Sequence, residues 1–496
     1  MITLEDILLS LDGLSRAAAY LPPALAHTTF RGAAIDSREI RAGDLFVALR
    51  GERHDGHAFL AAAVGQGARG ALVRRERVEG HSLGQPSILI DPQALLASDG
   101  EALPEQIDDQ VVVLIAVDDP LVALQQIARA YRRRHNLTVV GITGSVGKTS
   151  TKEVTAVVLQ QRFNTHKSPR SFNTESTVPL TILDIQPEHE AAVIEMGTYG
   201  PGEIALLASI ALPQIGIVTN VGPSHLERMK TLETVAQAKG ELVEALPSDG
   251  WAILNYDDER VRAMASRTQA QVFTYGLNPA ADLWADEIEG RGLDGIAFRA
   301  HYRDETVHLQ LPLIGRHSVH TALAAAATGL ILGLSWEDLI AGLKSSNTQL
   351  RLLVSPAVGG ATIIDDTYNA SPVSCLAALN LLAELDGRRV AVFGDMMELG
   401  PLEEEGHRMV GRRAADVVDL LITVGERARW IAEEAQLAGI KGEVITASGK
   451  QAVVDLLKPM LQPGDYVLVK GGRAMAMEEI VAQLQVPREE ARRWEL

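Results

Sequence analysis

The chain has 496 residues, a hydrophobic fraction of 46% and a formal net charge of −18. One hydrophobic core does not organise a chain of this length, so several domains are expected. The negative charge argues against nonspecific nucleic-acid binding, which needs clustered Lys and Arg. The one dense basic run, "YRRRH" at 131–135, is predicted to be the solvated end of a helix.

Cysteine content and hydropathy restrict the cellular setting. Cys375 is the single cysteine, which excludes an intramolecular disulfide and a cysteine-based zinc site. The sequence shows no basic-then-apolar leader and no apolar run of about 18 residues. We therefore expect a soluble, cytoplasmic protein that does not insert into a membrane, with a monomer as the default state.

Three segments follow one another along the chain, and together they predict an α/β fold with three domains. Residues 1–118 combine the β-like "LFVAL" with a polar Gly/His loop and an alanine-rich helical run. Residues 119–347 open with an amphipathic helix that has Asp119 as its cap and Pro120 in its first turn. Apolar runs such as "LTVVGIT" and "IGIVTNVG" then alternate with helical stretches, which predicts a mostly parallel sheet. Residues 348–496 form a second α/β series whose strands end in Gly or Asp, where open sheets place ligands.

The stretch "GITGSVGKTS", at 141–150, combines a strand end, a glycine-rich turn and a helix start. Such a turn directs backbone N–H groups and a helix dipole at one point, which suits phosphate. Five residues separate Gly141 from Gly147, whereas the common P-loop has four. The pattern still predicts that the protein binds a nucleoside triphosphate with Mg²⁺. The candidate nucleotide-binding residues here are Gly141, Thr143, Gly144, Ser145, Gly147, Lys148, Thr149 and Ser150.

Two further candidates stand at predicted strand ends of the same sheet. Glu195 ends the run "AAVIE", where a carboxylate suits a metal position. His225 follows a strand and a Gly-Pro turn, and its position favours a functional role. Lys239, on a helical stretch, has by itself the pattern of a surface lysine.

Seven motifs occur in an order that resembles the Mur ligases, the ATP-dependent amino-acid ligases of peptidoglycan synthesis. They are "GITGSVGKTSTKE", "VIEMG", "TNVGPSHLERM", "AQAKGELVEAL", "GRHSVHTALAAAA", "DDTYNASP" and "VFGDMMELG". The family's phosphate loop has the spacing seen here. The resemblance implies a UDP-binding N-terminal α/β domain, a central P-loop ATPase domain and a Rossmann-like C-terminal α/β domain. The last two motifs resemble the branch that adds D-alanyl-D-alanine to a UDP-N-acetylmuramoyl-tripeptide.

The resemblance also implies a mechanism, in which ATP converts a carboxylate into an acyl phosphate that an amine then attacks. Lys148 would contact the phosphates, and Thr149 and Glu195 would serve a first Mg²⁺. His225 would serve a second Mg²⁺, and Lys239 would be a metal ligand as a carbamate. Lys148, Glu195, His225 and Lys239 are thus the implied catalytic residues, together with Arg351, which would reach the γ-phosphate.

Other residues match the family's nucleotide and substrate positions. The remaining nucleotide-binding candidates are His317, Asp366 and Tyr368, whereas Ser318 and Thr321 replace two asparagines of the family's adenine-contacting motif. The implied substrate-binding residues are Ser37, Arg38, Asp55, His57 and Asn173.

Alternatives remain open at this point. Another Mur-type or folylpolyglutamate-type ligase would share the central motifs, and a switch protein would hydrolyse ATP to move domains. A degenerate, non-catalytic relative is disfavoured by the intact Gly147-Lys148-Thr149. The third residue of the tripeptide, diaminopimelate or lysine, is not indicated.

Overall fold

A computed structural model describes residues 1–51, 54–77, 83–97, 103–105, 108, 110–345 and 352–487. The chain forms two compact units. The first contains Met1–Val139, Asn164–Met196 and Ala205–Pro213, and the second contains Val140–Phe163, Gly197–Ile204 and Gln214–Leu496. Within the described ranges, every helix is too short or too polar to cross a lipid bilayer. The predicted domain boundaries near residues 118 and 347 stay a prediction.

The first unit contains a five-stranded parallel sheet. Its strands lie in the spatial order Ala33–Ala34, Leu45–Val47, Gly70–Arg74, Val112–Val117 and Ser87–Ile90. An antiparallel pair, Ile2–Thr3 with Thr29–Phe30, and a parallel pair, Thr165–Lys167 with Ala191–Glu195, complete its strands. The β-like "LFVAL" is confirmed as a buried strand, because Leu45–Val47 has all three side chains in the core.

The second unit contains seven consecutive strands with a parallel and an antiparallel part. Their spatial order is Thr138–Thr143, Ile215–Val218, Trp251–Asn255, Gln271–Gly276, Leu283–Gly290, Ile296–Tyr302 and Glu305–Leu311. The first five run parallel, and the last two add antiparallel hairpins. The mostly parallel sheet is therefore confirmed. Parallel strands align their carboxyl ends, which brings the loops after residues 143 and 218 to one edge.

A separate six-stranded sheet follows in the same unit. Its spatial order is Leu353–Pro356, Thr362–Asp366, Asp465–Lys470, Arg388–Gly394, Leu420–Val424 and Glu443–Ala447. All neighbours are parallel except the first pair. Apolar clusters on both of its faces, around Phe393 and around Val392, show that helices cover the sheet on each side.

Helices connect most of these strands. Their bounds in the first half of the chain are Leu4–Ser10, Pro23–Ala26, Leu60–Gly65, Pro92–Ala97, Pro120–Arg132, Lys148–Leu159, Thr177–Leu183, Glu203–Ala211, Leu226–Met229 and Leu232–Glu244. In the second half they are Glu259–Ala263, Ser318–Ile331, Trp336–Lys344, Pro372–Ala383, Glu403–Val417, Arg429–Leu437, Lys450–Leu457 and Glu478–Leu484.

The helix Pro120–Arg132 confirms one prediction and corrects another. Asp119 caps it by accepting a hydrogen bond from the Leu121 N–H, as predicted. The basic run at its end is not simply solvated, because Arg132 is only 4% exposed. Its guanidinium donates to the carbonyl oxygens of Ala211 and Leu137, at 2.8 and 3.2 Å. Arg132 therefore ties the helix end to two neighbouring chain segments, and its burial lowers its pKa.

Candidate active site

The phosphate loop connects the strand Thr138–Thr143 to the helix Lys148–Leu159. Gly144 has a φ of 149°, and a Cβ there would lie 1.8 Å from the Thr219 side-chain oxygen. Gly147 caps the helix in the left-handed region with a φ of 86°, and a Cβ at that position would meet no heavy atom within 4 Å. Gly144 is thus required by close packing and Gly147 by its backbone conformation. The first helical N–H groups are directed toward the loop.

The segment after the neighbouring strand Ile215–Val218 fixes this loop. The Asn220 amide accepts a hydrogen bond from the Val146 N–H at 2.9 Å and donates to the Val146 carbonyl at 2.8 Å. The Thr219 hydroxyl donates to the same carbonyl at 2.7 Å. The loop is therefore shaped by side chains before any ligand binds, as a preorganised anion site requires.

The predicted phosphate-loop residues occupy three environments. Lys148 folds back over the loop and donates to the carbonyls of Gly144 and Ser145, at 2.6 and 3.3 Å. Thr149 is buried at the first helical turn, whereas Gly141 lies inside the strand, paired with Gly216. Among the described residues, the buried Thr143 hydroxyl has no hydrogen-bond partner. An unpaired buried hydroxyl beside the loop is consistent with a polar ligand there.

Lys239 is buried, which corrects its interpretation as a surface lysine. Its side chain is 2% exposed on the helix Leu232–Glu244. Lys148 is the charged group that acts on its amine. Desolvation, followed by repulsion from Lys148, lowers its pKa well below the usual value. Burial and the neighbouring positive charge thus both disfavour the ammonium form of Lys239.

His225 lies in a turn with a left-handed backbone, at a φ of 53°. Its Nδ1 forms a hydrogen bond with a carboxylate oxygen of Glu398. Glu398 belongs to the loop after the strand Arg388–Gly394. The Tyr199 ring packs edge-on against the imidazole with a centroid distance of 4.6 Å. The predicted functional histidine is thus in contact with the third predicted segment.

The candidates in that third segment cluster at the end of the strand Thr362–Asp366. Lys470, only 1% exposed, donates to the Asp366 carboxylate at 2.6 Å and to the Asn369 carbonyl at 2.9 Å. Arg473 lies over the Tyr368 ring, with 5.3 Å between its Cζ and the ring centroid. Arg351 lies outside the described residues.

His317 precedes the helix Ser318–Ile331, and its imidazole lies over Gly315. His317 is exposed, although desolvation by neighbouring atoms lowers its pKa. The Ser318 hydroxyl is buried and donates to the Ile314 carbonyl at 2.7 Å. Because this hydroxyl is used within the helix, Ser318 does not reproduce the reach of the asparagine it replaces.

In the first unit, Glu195 and Asn173 lie together. The Asn173 amide donates to the Glu195 carboxylate at 2.8 Å, and the Ser168 hydroxyl accepts from the Glu195 N–H at 3.1 Å. Glu195 is fully buried at the end of its strand. Two residues that the sequence assigned to metal and to substrate are therefore parts of one polar cluster.

The other substrate candidates form two local turns. Asp36 binds the Arg38 guanidinium and backbone, which lowers the pKa of Asp36 to about 2 and leaves Arg38 exposed next to Ser37. Asp55 accepts from Nδ1 of His57 at 2.7 Å, and Nε2 of the same ring accepts from the Arg74 N–H at 2.9 Å. Both nitrogens of His57 are thus engaged in the fold, so a bond from its ring to a ligand would replace one of these.

Among the described residues, no group of three or more His, Cys, Asp or Glu side chains is arranged to hold a metal. Mg²⁺ typically keeps waters and phosphate oxygens in addition to one or two protein ligands. The closely packed Gly144, the unpaired Thr143 hydroxyl and the burial of Lys239 are consistent with a nucleotide–metal complex.

Comparison with known families gives three matches in chain order. "Mur ligase family, catalytic domain" matches residues 29–132, "Mur ligase middle domain" matches 142–329, and "Mur ligase, glutamate ligase domain" matches 351–473. The chain belongs to the Mur ligase family. This Mur ligase therefore has the three-domain α/β fold that its motifs implied.

Relatives named UDP-N-acetylmuramoyl-tripeptide–D-alanyl-D-alanine ligase are similar to this Mur ligase over most of its length. The Bacillus subtilis protein is 34% identical, covering 93% of this chain and 94% of the relative. The Synechocystis protein is 37% identical over 90% of both chains. The Escherichia coli protein is 35% identical, covering 93% of this chain and 95% of the relative.

Solved structures agree with this relationship. The MurF ligase from Thermotoga maritima in complex with ADP is 27% identical, with a TM-score of 0.74, covering 94% of this chain and 98% of that structure. The UDP-N-acetylmuramoylalanyl-D-glutamyl-2,6-diaminopimelate–D-alanyl-D-alanyl ligase from Acinetobacter baumannii is 27% identical, with a TM-score of 0.76, covering 97% of this chain and 98% of that structure. A Mycobacterium tuberculosis folylpolyglutamate synthase, at 16% identity and a TM-score of 0.55, shares the fold alone.

Sequence reasoning missed three residues that shape this Mur ligase site. Asn220 fixes the phosphate loop, Lys470 pairs with Asp366, and Glu398 binds His225. Each lies within four residues of a strand end, at Val218, Lys470 and Gly394. Strand-end position could have marked them as candidates, but their partners depend on the sheet topology.

Proposed function

We propose that this chain is an ATP-dependent ligase that joins D-alanyl-D-alanine to UDP-N-acetylmuramoyl-tripeptide in peptidoglycan precursor synthesis. One observation carries the proposal: curated relatives with this activity in their names align over nine-tenths of the chain. The phosphate loop supports the nucleotide part, and the ADP complex of the Thermotoga maritima relative indicates the ligand class. UDP-N-acetylmuramoyl-tripeptide and D-alanyl-D-alanine would be its small-molecule substrates, and a monomer in the cytoplasm remains our expectation.

The reaction proceeds in two steps. A carboxylate oxygen of the tripeptide attacks the γ-phosphorus of ATP, which forms an acyl phosphate and releases ADP. The amine of the dipeptide then attacks the acyl carbon, loses a proton and displaces phosphate, which leaves an amide. Lys148, together with the N–H groups of its helix, would hold the phosphates and offset their negative charge as the carboxylate approaches.

The proposed metal ligands are Thr149, Glu195, His225 and Lys239, the last as a carbamate. Bound Mg²⁺ supplies positive charge at the reacting oxygens. Lys239 suits its assignment because an uncharged amine can add to CO₂: an N–C bond forms, a proton leaves and a carbamate anion results. The neighbouring Lys148 charge, which disfavours an ammonium at this position, would stabilise that anion.

The remaining assignments concern nucleotide and substrate. His317 from the second segment, and Asp366 and Tyr368 from the third, would bind the nucleotide, and Arg351 would reach its γ-phosphate. Ser37, Arg38, Asp55, His57 and Asn173 would form the UDP-sugar and peptide side, with His57 acting through Asp55.

Product mass tests this proposal directly. The full chain is incubated with ATP, Mg²⁺, D-alanyl-D-alanine and a UDP-N-acetylmuramoyl-tripeptide that ends in diaminopimelate or in lysine. We expect the mass of a UDP-N-acetylmuramoyl-pentapeptide with one of the two tripeptides. If neither tripeptide gives a pentapeptide, but another muramyl acceptor and a single amino acid give a product, the chain catalyses a different ligation reaction of the family.

A further inference from the structure

The turn at His225 touches the Glu398–Gly400 segment at three points. Glu398 binds Nδ1 of His225 through its carboxylate. The Leu226 N–H donates to the Glu398 carbonyl at 3.0 Å. A Cβ on Gly400 would lie 3.1 Å from the Glu227 backbone nitrogen, so the two backbones are in close contact. The loop after one strand of the six-stranded sheet is therefore docked on the loop after Ile215–Val218 of the other sheet.

Both side chains of this contact stand on unusual backbone. His225 has a φ of 53° and Glu398 a φ of 64°, in the left-handed region that non-glycine residues seldom adopt. Such conformations persist when the surrounding structure holds them in place, and they concentrate at functional sites. Gly400 shares the left-handed conformation, with a φ of 54°. His225, Glu398 and Gly400 thus all have left-handed backbone at the point where the two loops meet.

The contact also sets which imidazole nitrogen is available. Because a carboxylate accepts hydrogen bonds, Nδ1 acts as the donor, and in the neutral ring the lone pair is then on Nε2. Metal-ligating histidines generally donate their second ring N–H to a carboxylate or carbonyl, which fixes tautomer and ring orientation. Tyr199 packs against the same ring, and Arg228 lies over Tyr199 at 5.3 Å from its ring centroid. The imidazole is thus held from two sides.

We propose that Glu398 is a positioning residue that orients His225 for the second metal ion, only when the six-stranded sheet is docked. This inference rests on the proposed function, since it needs His225 as a metal ligand. It makes docking of the Glu398–Gly400 segment a condition for a complete metal site. A separated pair of sheets would retain the phosphate loop and the Tyr199 contact, but His225 would lose its hydrogen bond to Glu398.

Metal binding, measured apart from catalysis, tests the proposal. Mn²⁺ replaces Mg²⁺ and is titrated into the full chain with a non-hydrolysable ATP analogue, with free Mn²⁺ followed by electron paramagnetic resonance. Glu398→Ala should weaken one Mn²⁺ site by about 10–100-fold, the usual cost of losing such a partner. Glu398→Gln keeps the side-chain shape and a hydrogen-bond acceptor, so it should lose less Mn²⁺ affinity than Glu398→Ala. Glu404→Gln is the matched control, because Glu404 pairs with Arg408 within its own helix.

A second comparison tests whether Glu398 affects Mn²⁺ affinity through His225 or by weakening the metal site in general. In a His225→Ala background, Glu398→Ala should cause no further loss of Mn²⁺ affinity. Gly400→Ala should weaken the same Mn²⁺ site while Glu398 is retained, because its Cβ would push the two backbones apart. Wild-type Mn²⁺ affinity in Glu398→Ala, or an equal loss with and without the His225 side chain, would overturn the positioning role alone. Failure of the wild type to bind Mn²⁺ with the analogue would overturn the proposed function as well.

Discussion

The phosphate loop and the Glu398–Gly400 segment both follow a parallel strand and a glycine, yet they are held differently. The phosphate loop is fixed from the adjacent strand of its own sheet, through Asn220 and Thr219. The Glu398–Gly400 segment takes part of its order from the His225 turn, which belongs to another sheet. The first region is thus complete within one sheet, whereas the second depends on docking. The shape of the phosphate loop and the orientation of the His225 ring are therefore set by different contacts.

The largest expected effect is on the phosphate loop itself. Lys148→Ala should lower kcat on the order of 10³-fold, because phosphate charge is left uncompensated during transfer. Phosphate release under saturating substrates measures it, with Lys344→Ala, an exposed lysine at a helix end, as the control. Turnover within a few-fold of wild type would remove the phosphate-loop assignment.

Lys239→Ala tests the buried lysine that lies near Lys148 of the phosphate loop. The loss should be on the order of 10²–10³-fold, because metal-ion catalysis supplies several kcal/mol. A short added carboxylate should restore part of the activity by supplying the missing oxygens. Full activity of the variant without any addition would contradict the carbamate.

Asn220→Ala sharpens the comparison, because it loosens the phosphate loop without touching the docked segment. The Val146 N–H loses its acceptor, which should cost about 1–3 kcal/mol of unfolding free energy. The KM for ATP should rise by about 10-fold, the equivalent of 1.4 kcal/mol in binding. Asn164→Ala, which removes an exposed side-chain hydrogen bond to Glu188, is the control. An unchanged KM for ATP would show that the phosphate loop keeps its shape without the hydrogen bonds from Asn220 to Val146.

The smallest effect concerns pH and the docked segment. His407 is buried, and its Nε2 accepts from the Met396 N–H at 2.9 Å, two residues before Glu398. Burial lowers the pKa of His407, so the fold favours the neutral ring. As the pH falls, the unfolded chain therefore binds a proton at this histidine before the folded chain does. The free energy of unfolding decreases as the pH drops from the ordinary histidine pKa toward the lowered pKa of His407.

His407→Gln should remove the part of the pH dependence of stability that His407 causes. The difference in unfolding free energy between pH 7.5 and pH 5, from urea titrations, should be smaller in the variant than in the wild type. An equal difference in both proteins would place the acid sensitivity elsewhere.

Local patterns predicted the phosphate loop, the capped helix at Pro120 and the parallel sheets, because each depends on neighbours in sequence. The basic run containing Arg132 was wrongly predicted to be solvated, and Lys239 by itself has the pattern of a surface lysine, because a charged side chain usually lies on the exposed face of a helix. Val235, Ala238, Leu242 and Val243 place Lys239 on the buried face of its helix. Glu398 could not be assigned, since its partner His225 is 173 residues away. Such a pair follows from sheet topology, which a single sequence does not specify.

The most direct test of the account is the substrate dependence of phosphate release. ATP and Mg²⁺ are supplied with UDP-N-acetylmuramoyl-tripeptide and D-alanyl-D-alanine together, and then with each withheld. The account predicts steady release only when both are present, because the acyl phosphate needs the carboxylate and its turnover needs the amine. Equal release with neither substrate would contradict it and would indicate a nucleotide-hydrolysing switch instead.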